Sequence, residues 1–305
     1  MRVVVASGIW PPDVGGPATH SPELAGHLRA RGHDVEVLTT AAARPAPQPY
    51  PVHWVSRSHP PGVRHAKYAA RLAALTRRAD VLYVNSVLTR GAVGARAPAV
   101  VKLTDDPAYE RAQRLGLFRG DLDAFQSFEG GLRVRALRRA RDFALGRAAR
   151  VLCPSRYLAE LAAGWGVDPA RVTVVENATP ELGPLPSREE ARSRFGIEGP
   201  TLAFAGRLSA AKALDVALRA LAETDGVALV VGGDGPEREP LERLSAELGL
   251  ESRVRFAGPL PRDEVLALYR AADAALLSSA WENFPHSVVE SLAVGTPVVA
   301  TDAGG

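Results

Sequence analysis

What this sequence has least of is cysteine. There is one, Cys153, so no disulfide can close within the chain, and a reducing compartment is the expected setting. Also missing is any apolar run near the roughly 20 residues that a membrane-spanning helix requires. The first ten residues, MRVVVASGIW, lack the charged-then-apolar layout of an export signal and read as a first strand. Neither sign of charge dominates: 37 Lys plus Arg against 34 Asp plus Glu leave +3. That balance permits an anionic ligand or membrane surface without requiring nucleic acid, and no nucleic-acid partner is expected. What is abundant is hydrophobic residue, 46% of 305, enough for two cores. The bulk expectation is a cytoplasmic α/β protein.

The opening pattern is strand, glycine loop, helix, strand: Val3 to Ser7, then Gly15-Gly16, a helix from about Ala18 to Arg31, and Val35 to Thr39. Paired glycines let backbone approach a ligand at a helix N-terminus, although a tight turn needs them equally. Val52 to Val55 reads as an edge strand, Tyr68 to Arg78 as a helix, Val81 to Asn85 and Ala99 to Leu103 as strands. The last of these exits into Thr104-Asp105-Asp106-Pro107, where acidic residues fit site chemistry and ordinary turn chemistry alike. Residues 131–150 carry seven arginines against one aspartate, with an apolar stripe of Leu132, Ala136, Leu137, Ala140, Ala144 and Leu145. Such a helix can lie on anionic lipid, or can pack on the sheet through its stripe with arginines in water.

Gly183, Pro184 and Pro186 mark a linker, which divides the chain into 1–183 and 187–305. Beyond it, apolar strands alternate with helices, as in a parallel sheet covered on both faces. Polar and glycine residues gather at the strand exits: Arg207, Lys212, Gly232, Gly233, Gly235, Gly258 and Glu282. In an open α/β sheet that rim is where ligands sit, with helix N-termini aimed at anions. Arg207 as a fork and Lys212 as a point charge would clamp a diphosphate, or would simply be solvated. The loop Gly232-Gly233-Asp234-Gly235 lacks G-x-G-x-x-G spacing, which disfavours a nicotinamide enzyme.

Five segments in order resemble the retaining glycosyltransferases of the two-Rossmann-domain (GT-B) class, in the group-1/GT4 family. They are GGPATHSPELAGHLRARGHDVEVLTT, VLCPSRYLAELAAGWGVDPARVTVVENAT, FAGRLSAAKALDVALRAL, VVGGDGPEREPLE and ENFPHSVVESLAVGTPVVATDAGG, the last carrying the E-x7-E pair Glu282 and Glu290. The resemblance implies two doubly wound domains facing a cleft, the first on the acceptor side and the second, incomplete, binding a nucleotide-diphosphate sugar. It implies that Arg207 and Lys212 stabilise the diphosphate, and that Glu282, with the backbone of Asn283 and Phe284, holds the sugar. Glu290 would bind the ribose, Gly16 and the Gly304-Gly305 loop would approach the phosphates, and Gly15 and Gly233 would also lie at the donor. No metal or cofactor is implied, and the anomeric configuration would be retained.

Two departures stand out. Where many family members have a histidine beside the reacting sugar, the exit of Ala99–Leu103 here reads Lys102-Leu103-Thr104-Asp105-Asp106, so either Asp105 takes that role or no residue does. The chain also stops just after a strand, so a fragment of a longer protein is expected. The acceptor would be a glycan or lipid-linked, with the basic helix 131–150 touching anionic membrane at the inner face. A nucleotide-sugar-binding module without turnover, and a sugar-nucleotide epimerase on the same fold, are the alternatives.

Overall fold

The computed structural model describes residues 1–13, 16–85, 95–178 and 182–304. It divides into two compact units, Met1–Glu176 and Asn177–Gly305. Gly15 and Gly305, both expected at the ligand, lie outside the described residues.

The first unit is built on β1 (Arg2–Ser7), β2 (Asp34–Ala41), β3 (Val52–Ser56), β4 (Val81–Asn85), β5 (Ala99–Lys102), β6 (Arg150–Cys153) and β7 (Val172–Val174). They form a parallel sheet in the order β3-β2-β1-β4-β5-β6-β7, so Val52–Ser56 is an edge strand and the order reverses between β1 and β4. Successive side chains of a strand leave on opposite faces. Val3, Val5, Val35 and Val37 therefore enter one core with Trp10 and Tyr50, while Val4, Ala6, Leu38, Leu82 and Val84 enter another with Tyr68 and Leu72. Helix α1 (Gly16–Ala30) covers the first face and α2 (Pro61–Thr76) the second. Burial on both faces is why the strands read as unbroken β-branched and leucine runs rather than alternating ones.

Between β5 and β6 the chain makes α3 (Pro107–Arg114), α4 (Leu122–Ser127) and α5 (Leu132–Gly146), and α6 (Arg156–Gly164) follows β6. Helix α5 buries only part of the stripe expected of it, Ala144 and Leu145 fully and Leu137 in part. Its buried positions are Val134, Arg141, Ala144 and Leu145, whereas Leu132 is 79% exposed and Ala136 and Ala140 face solvent. The cause is Arg141. Its guanidinium donates to the buried Asp106 carboxylate at 2.7 Å and lies 3.9 Å over the Trp165 ring, which turns the helix to carry a paired cation inward. Gln126 completes this network, accepting from Trp165 Nε1 at 2.8 Å.

The second unit holds β8 (Thr201–Ala205), β9 (Ala228–Gly232), β10 (Val254–Gly258), β11 (Ala274–Leu277) and β12 (Val298–Ala300), parallel in the order β10-β9-β8-β11-β12. Helices α8 (Leu214–Ala222) and α9 (Arg238–Glu247) cover one face through Leu214, Leu218, Leu221 and Leu241. The other face is covered by α7 (Arg188–Arg194), α10 (Arg262–Ala271) and α11 (His286–Ala293), with Ala191, Leu266, Tyr269 and Val294 in its core. Helix α7 opens on a reciprocal cap in which Ser187 and Glu190 satisfy each other's backbone N–H. Both units are doubly wound α/β layers. In the second, the order of strands reverses between β8 and β11.

Candidate active site

A reversal in strand order parts the helices that follow the two central strands and leaves a crevice at their carboxyl ends. In the second unit the loops at this crevice are joined backbone to backbone. Gly206 N–H donates to Gly232 O at 3.0 Å, Leu208 N–H to Asp234 O at 2.9 Å, and Gly233 N–H to Gly258 O at 2.7 Å. This closeness accounts for the glycines. A Cβ on Gly233, whose φ is +132°, would lie 1.9 Å from Gly206 O, and one on Gly235 2.1 Å from Leu208 O. The demand for glycine at 233 thus comes from a protein neighbour and not only from a ligand.

The loop after β8 carries Arg207 and ends in a 3₁₀ turn, Ala210–Lys212. Arg207 is exposed and has no ion pair among the described residues. Lys212 Nζ binds Glu282 Oε1, so the expected diphosphate cation and the expected sugar carboxylate meet each other. Ser279 Oγ donates to the same Glu282 oxygen at 2.7 Å, and Ser278 Oγ donates to the Lys212 carbonyl at 2.8 Å. Ala280 N–H donates to Ala211 O at 3.0 Å. Immediately after Lys212, Ala213 takes the left-handed conformation, φ 44° and ψ 40°, which costs an L-residue with a Cβ about 1–2 kcal/mol. The three tethers from the β11 exit hold the turn in this shape.

Glu282 is enclosed from its far side by the chain leaving β12. Thr301 Oγ1 donates to Ser279 O at 2.6 Å, and residues 282 and 304 form an isolated parallel bridge. Gly304 has φ +92°, and a Cβ there would lie 1.8 Å from Glu282 O. Asn283 is buried, and the Phe284 carbonyl accepts from Asn177 Nδ2 at 2.9 Å. Pro285 stands at the N-cap of α11 with no side-chain cap, so that end keeps the amide polarity that favours an anion. Glu290 lies in the fifth position of α11, its Oε1 3.6 Å from Arg262 Nε. Burial raises its pKa, and the Arg262 charge opposes the rise. Glu290, expected at the ribose, is thus paired with a cation on α10.

In the first unit, a Cβ on Gly16 would meet nothing within 4 Å, so sterics place no demand for glycine at the start of α1. Asp105 follows β5 and accepts from Thr104 Oγ1 at 3.1 Å. Burial, then the charges of Glu110 and Asp106, raise its pKa to about 7 against the Thr104 hydrogen bond and the Arg114 charge. Asp106 is committed elsewhere, capping α3 through Ala108 N–H at 2.8 Å and pairing with Arg141. The two adjacent aspartates thus have different partners: Asp106 caps α3 and pairs with Arg141, while Asp105 accepts from Thr104. Among the described residues, no group of three or more His, Cys, Asp or Glu is arranged to hold a metal ion, and no helix is long and apolar enough to cross a membrane. Sequence reading missed Ser278, Ser279, Thr301 and Asn177. Ser278-Ser279 at a strand exit three residues before Glu282 was the available signal.

Two family profiles match. One described as glycosyl transferases group 1 covers residues 187–305, and one described as glycosyl transferase 4-like domain covers residues 15–178. The D-inositol 3-phosphate glycosyltransferase of Mycolicibacterium smegmatis is 41% identical over 127 residues, 39% of this chain and 29% of that protein's length. Among solved structures, sucrose-phosphate synthase from Thermosynechococcus elongatus superposes with a TM-score of 0.80 at 19% identity, covering 100% of this chain and 82% of that one. Anabaena Alr3699/HepE in complex with UDP-glucose gives 0.74 at 23% identity, covering 100% and 81%. At these identities the solved structures establish the GT-B fold.

Proposed function

We propose that this chain, which belongs to the group 1 glycosyltransferase family with its glycosyl transferase 4-like domain, moves a sugar from a nucleoside-diphosphate sugar to a hydroxyl-bearing acceptor. The observation that carries the reading is the meeting of Lys212 and Glu282, with exposed Arg207, where strand order reverses in the second sheet. A donor of this kind brings two chemistries to one spot. Its diphosphate needs cations as the leaving group gains charge, which Arg207, Lys212 and the uncapped end of α11 supply. Its sugar needs an acceptor for hydroxyl protons, which is Glu282, with Asn283 and Phe284 orienting it through their backbone. Glu290 takes the ribose hydroxyls. On this reading the configuration at the anomeric carbon is retained, and no metal is needed because the leaving charge is met by side chains and helix amides. Asp105 takes the place at the β5 exit that many relatives give to histidine.

The acceptor is a glycan or a lipid-linked glycan. The outer face of α5 supports a lipid-side acceptor: Leu132 and Phe143 are exposed, with Arg133, Arg135, Arg139 and Arg147 around them. Such a face should float with anionic liposomes at low salt and detach as salt rises.

The decisive test is incubation with UDP-, ADP- and GDP-linked hexoses in excess EDTA, with and without glycan, lipid-linked and inositol phosphate acceptors. Acceptor-dependent nucleotide release is the expected result, and binding without release would favour the non-turnover module.

A further inference from the structure

We infer that Ser279 is a positioning residue that presents Glu282 to the donor sugar, with Ser278 doing the same for Lys212 through its backbone. The inference rests on the donor-site reading above. Ser279 is fully buried at the exit of β11. Its hydroxyl donates to Glu282 Oε1, the oxygen that also takes Lys212 Nζ. Its carbonyl in turn accepts from Thr301 Oγ1, so the serine's backbone is tied to the chain leaving β12.

Consider what a carboxylate gains from this. It has two oxygens and about four lone-pair directions. Oε1 is engaged twice by the protein, and Oε2 takes no hydrogen bond from the described residues. With Oε1 anchored, the carboxylate plane is set and Oε2 is left to accept from a ligand hydroxyl. Lys212 alone would not set that plane, because an ammonium on a four-carbon stem is a mobile point charge. It must also answer to the diphosphate when the donor arrives. A fixed neutral donor on the same oxygen keeps Glu282 aimed while Lys212 shares its charge. Ser278 complements this by donating to the Lys212 carbonyl, which holds the strained turn from which that lysine extends.

A merely structural serine predicts loss of stability. A positioning serine predicts selective loss of sugar recognition, and binding data separate the two. The probe is whichever UDP-, ADP- or GDP-hexose raises the melting temperature of the chain most, compared with its own bare nucleoside diphosphate. Ser279→Ala is expected to weaken the sugar nucleotide by about 10-fold, the usual loss for one hydrogen bond to a charged group. The bare nucleoside diphosphate should bind as it does to the native chain. Ser279→Thr keeps the hydroxyl and should restore the difference. Retained sugar discrimination in Ser279→Ala would overturn the inference, and so would equal weakening of both probes. If no sugar nucleotide binds the unaltered chain, the donor-site reading itself fails, a result visible before any variant is made.

Discussion

The two sheets reverse strand order in the same way, yet the described polar groups buried at the first reversal differ from those at the second. Among the described residues, the polar side chains buried where β1 and β4 end are neutral. Ser7, Ser21 and Asn85 are each almost wholly buried, with Asn85 Nδ2 donating to Ser21 Oγ at 3.1 Å, Ser21 to Ser7 at 3.2 Å, and Ser7 to Ile9 O at 2.7 Å. Between β8 and β11 the groups are ionic and reach solvent: Lys212, Glu282 and exposed Arg207, backed by buried Ser278 and Ser279. Sealed neutral hydrogen bonds hold a fold together, because each lost partner strands a desolvated atom. Accessible charges can exchange one another for an incoming anion. On the proposed reading, one topology holds buried neutral hydrogen bonds in the first unit and accessible charges for a donor in the second.

The comparison can be broken from the second side. Arg207→Ala combined with Lys212→Ala should lower acceptor-dependent nucleotide release by about 10²-fold or more, since each removes a donor aimed at developing charge. The melting temperature should change little, and a fall matching that of a core variant would move these residues to the scaffold. On the first side, Asn85→Ala should cost about 1–3 kcal/mol of stability by denaturant titration, from stranded buried partners.

A smaller effect separates Asp105 from its neighbour. Its folded carboxyl holds a proton to about pH 7 against an ordinary value of 3.8. The stability that protonation contributes is present below the ordinary value and lost as pH rises through 7. Glu110, Asp106 and Arg114 are the charges acting on it, with Thr104 donating to it. Asp105→Asn cannot ionise, so its melting temperature should gain on the native chain between pH 5 and pH 8; parallel curves would remove the shift. Smallest of all, Ala213→Gly should stabilise the chain by about 1 kcal/mol by relieving the left-handed alanine.

Much of this layout is legible in the sequence. Unbroken apolar strands and glycine exits announced two parallel sheets, and Arg207, Lys212 and Glu282 were placed at one rim by strand counting alone. What escaped depends on distant pairing. The apolar stripe of α5 holds at Ala144 and Leu145 and fails at Leu132, Ala136 and Ala140, because periodicity treats arginine as a solvent residue, whereas Arg141 finds Asp106 and Trp165 far from it in sequence. Helix α2 starts at Pro61 instead of Tyr68, its first turns being polar and lacking a side-chain cap. Gly233 signalled a ligand, but the close neighbour is the backbone of Gly206. Ser279 is an ordinary serine until the fold sets it against Glu282.

The central claim is that the second reversal is built for a nucleoside-diphosphate sugar. It is tested most directly by thermal denaturation with a panel of UDP-, ADP- and GDP-hexoses on the unaltered chain and on the Arg207→Ala, Lys212→Ala double variant. At least one sugar nucleotide should raise the native melting temperature, and the double variant should not respond to it. A full response in the double variant, or none in the native chain, would contradict the account.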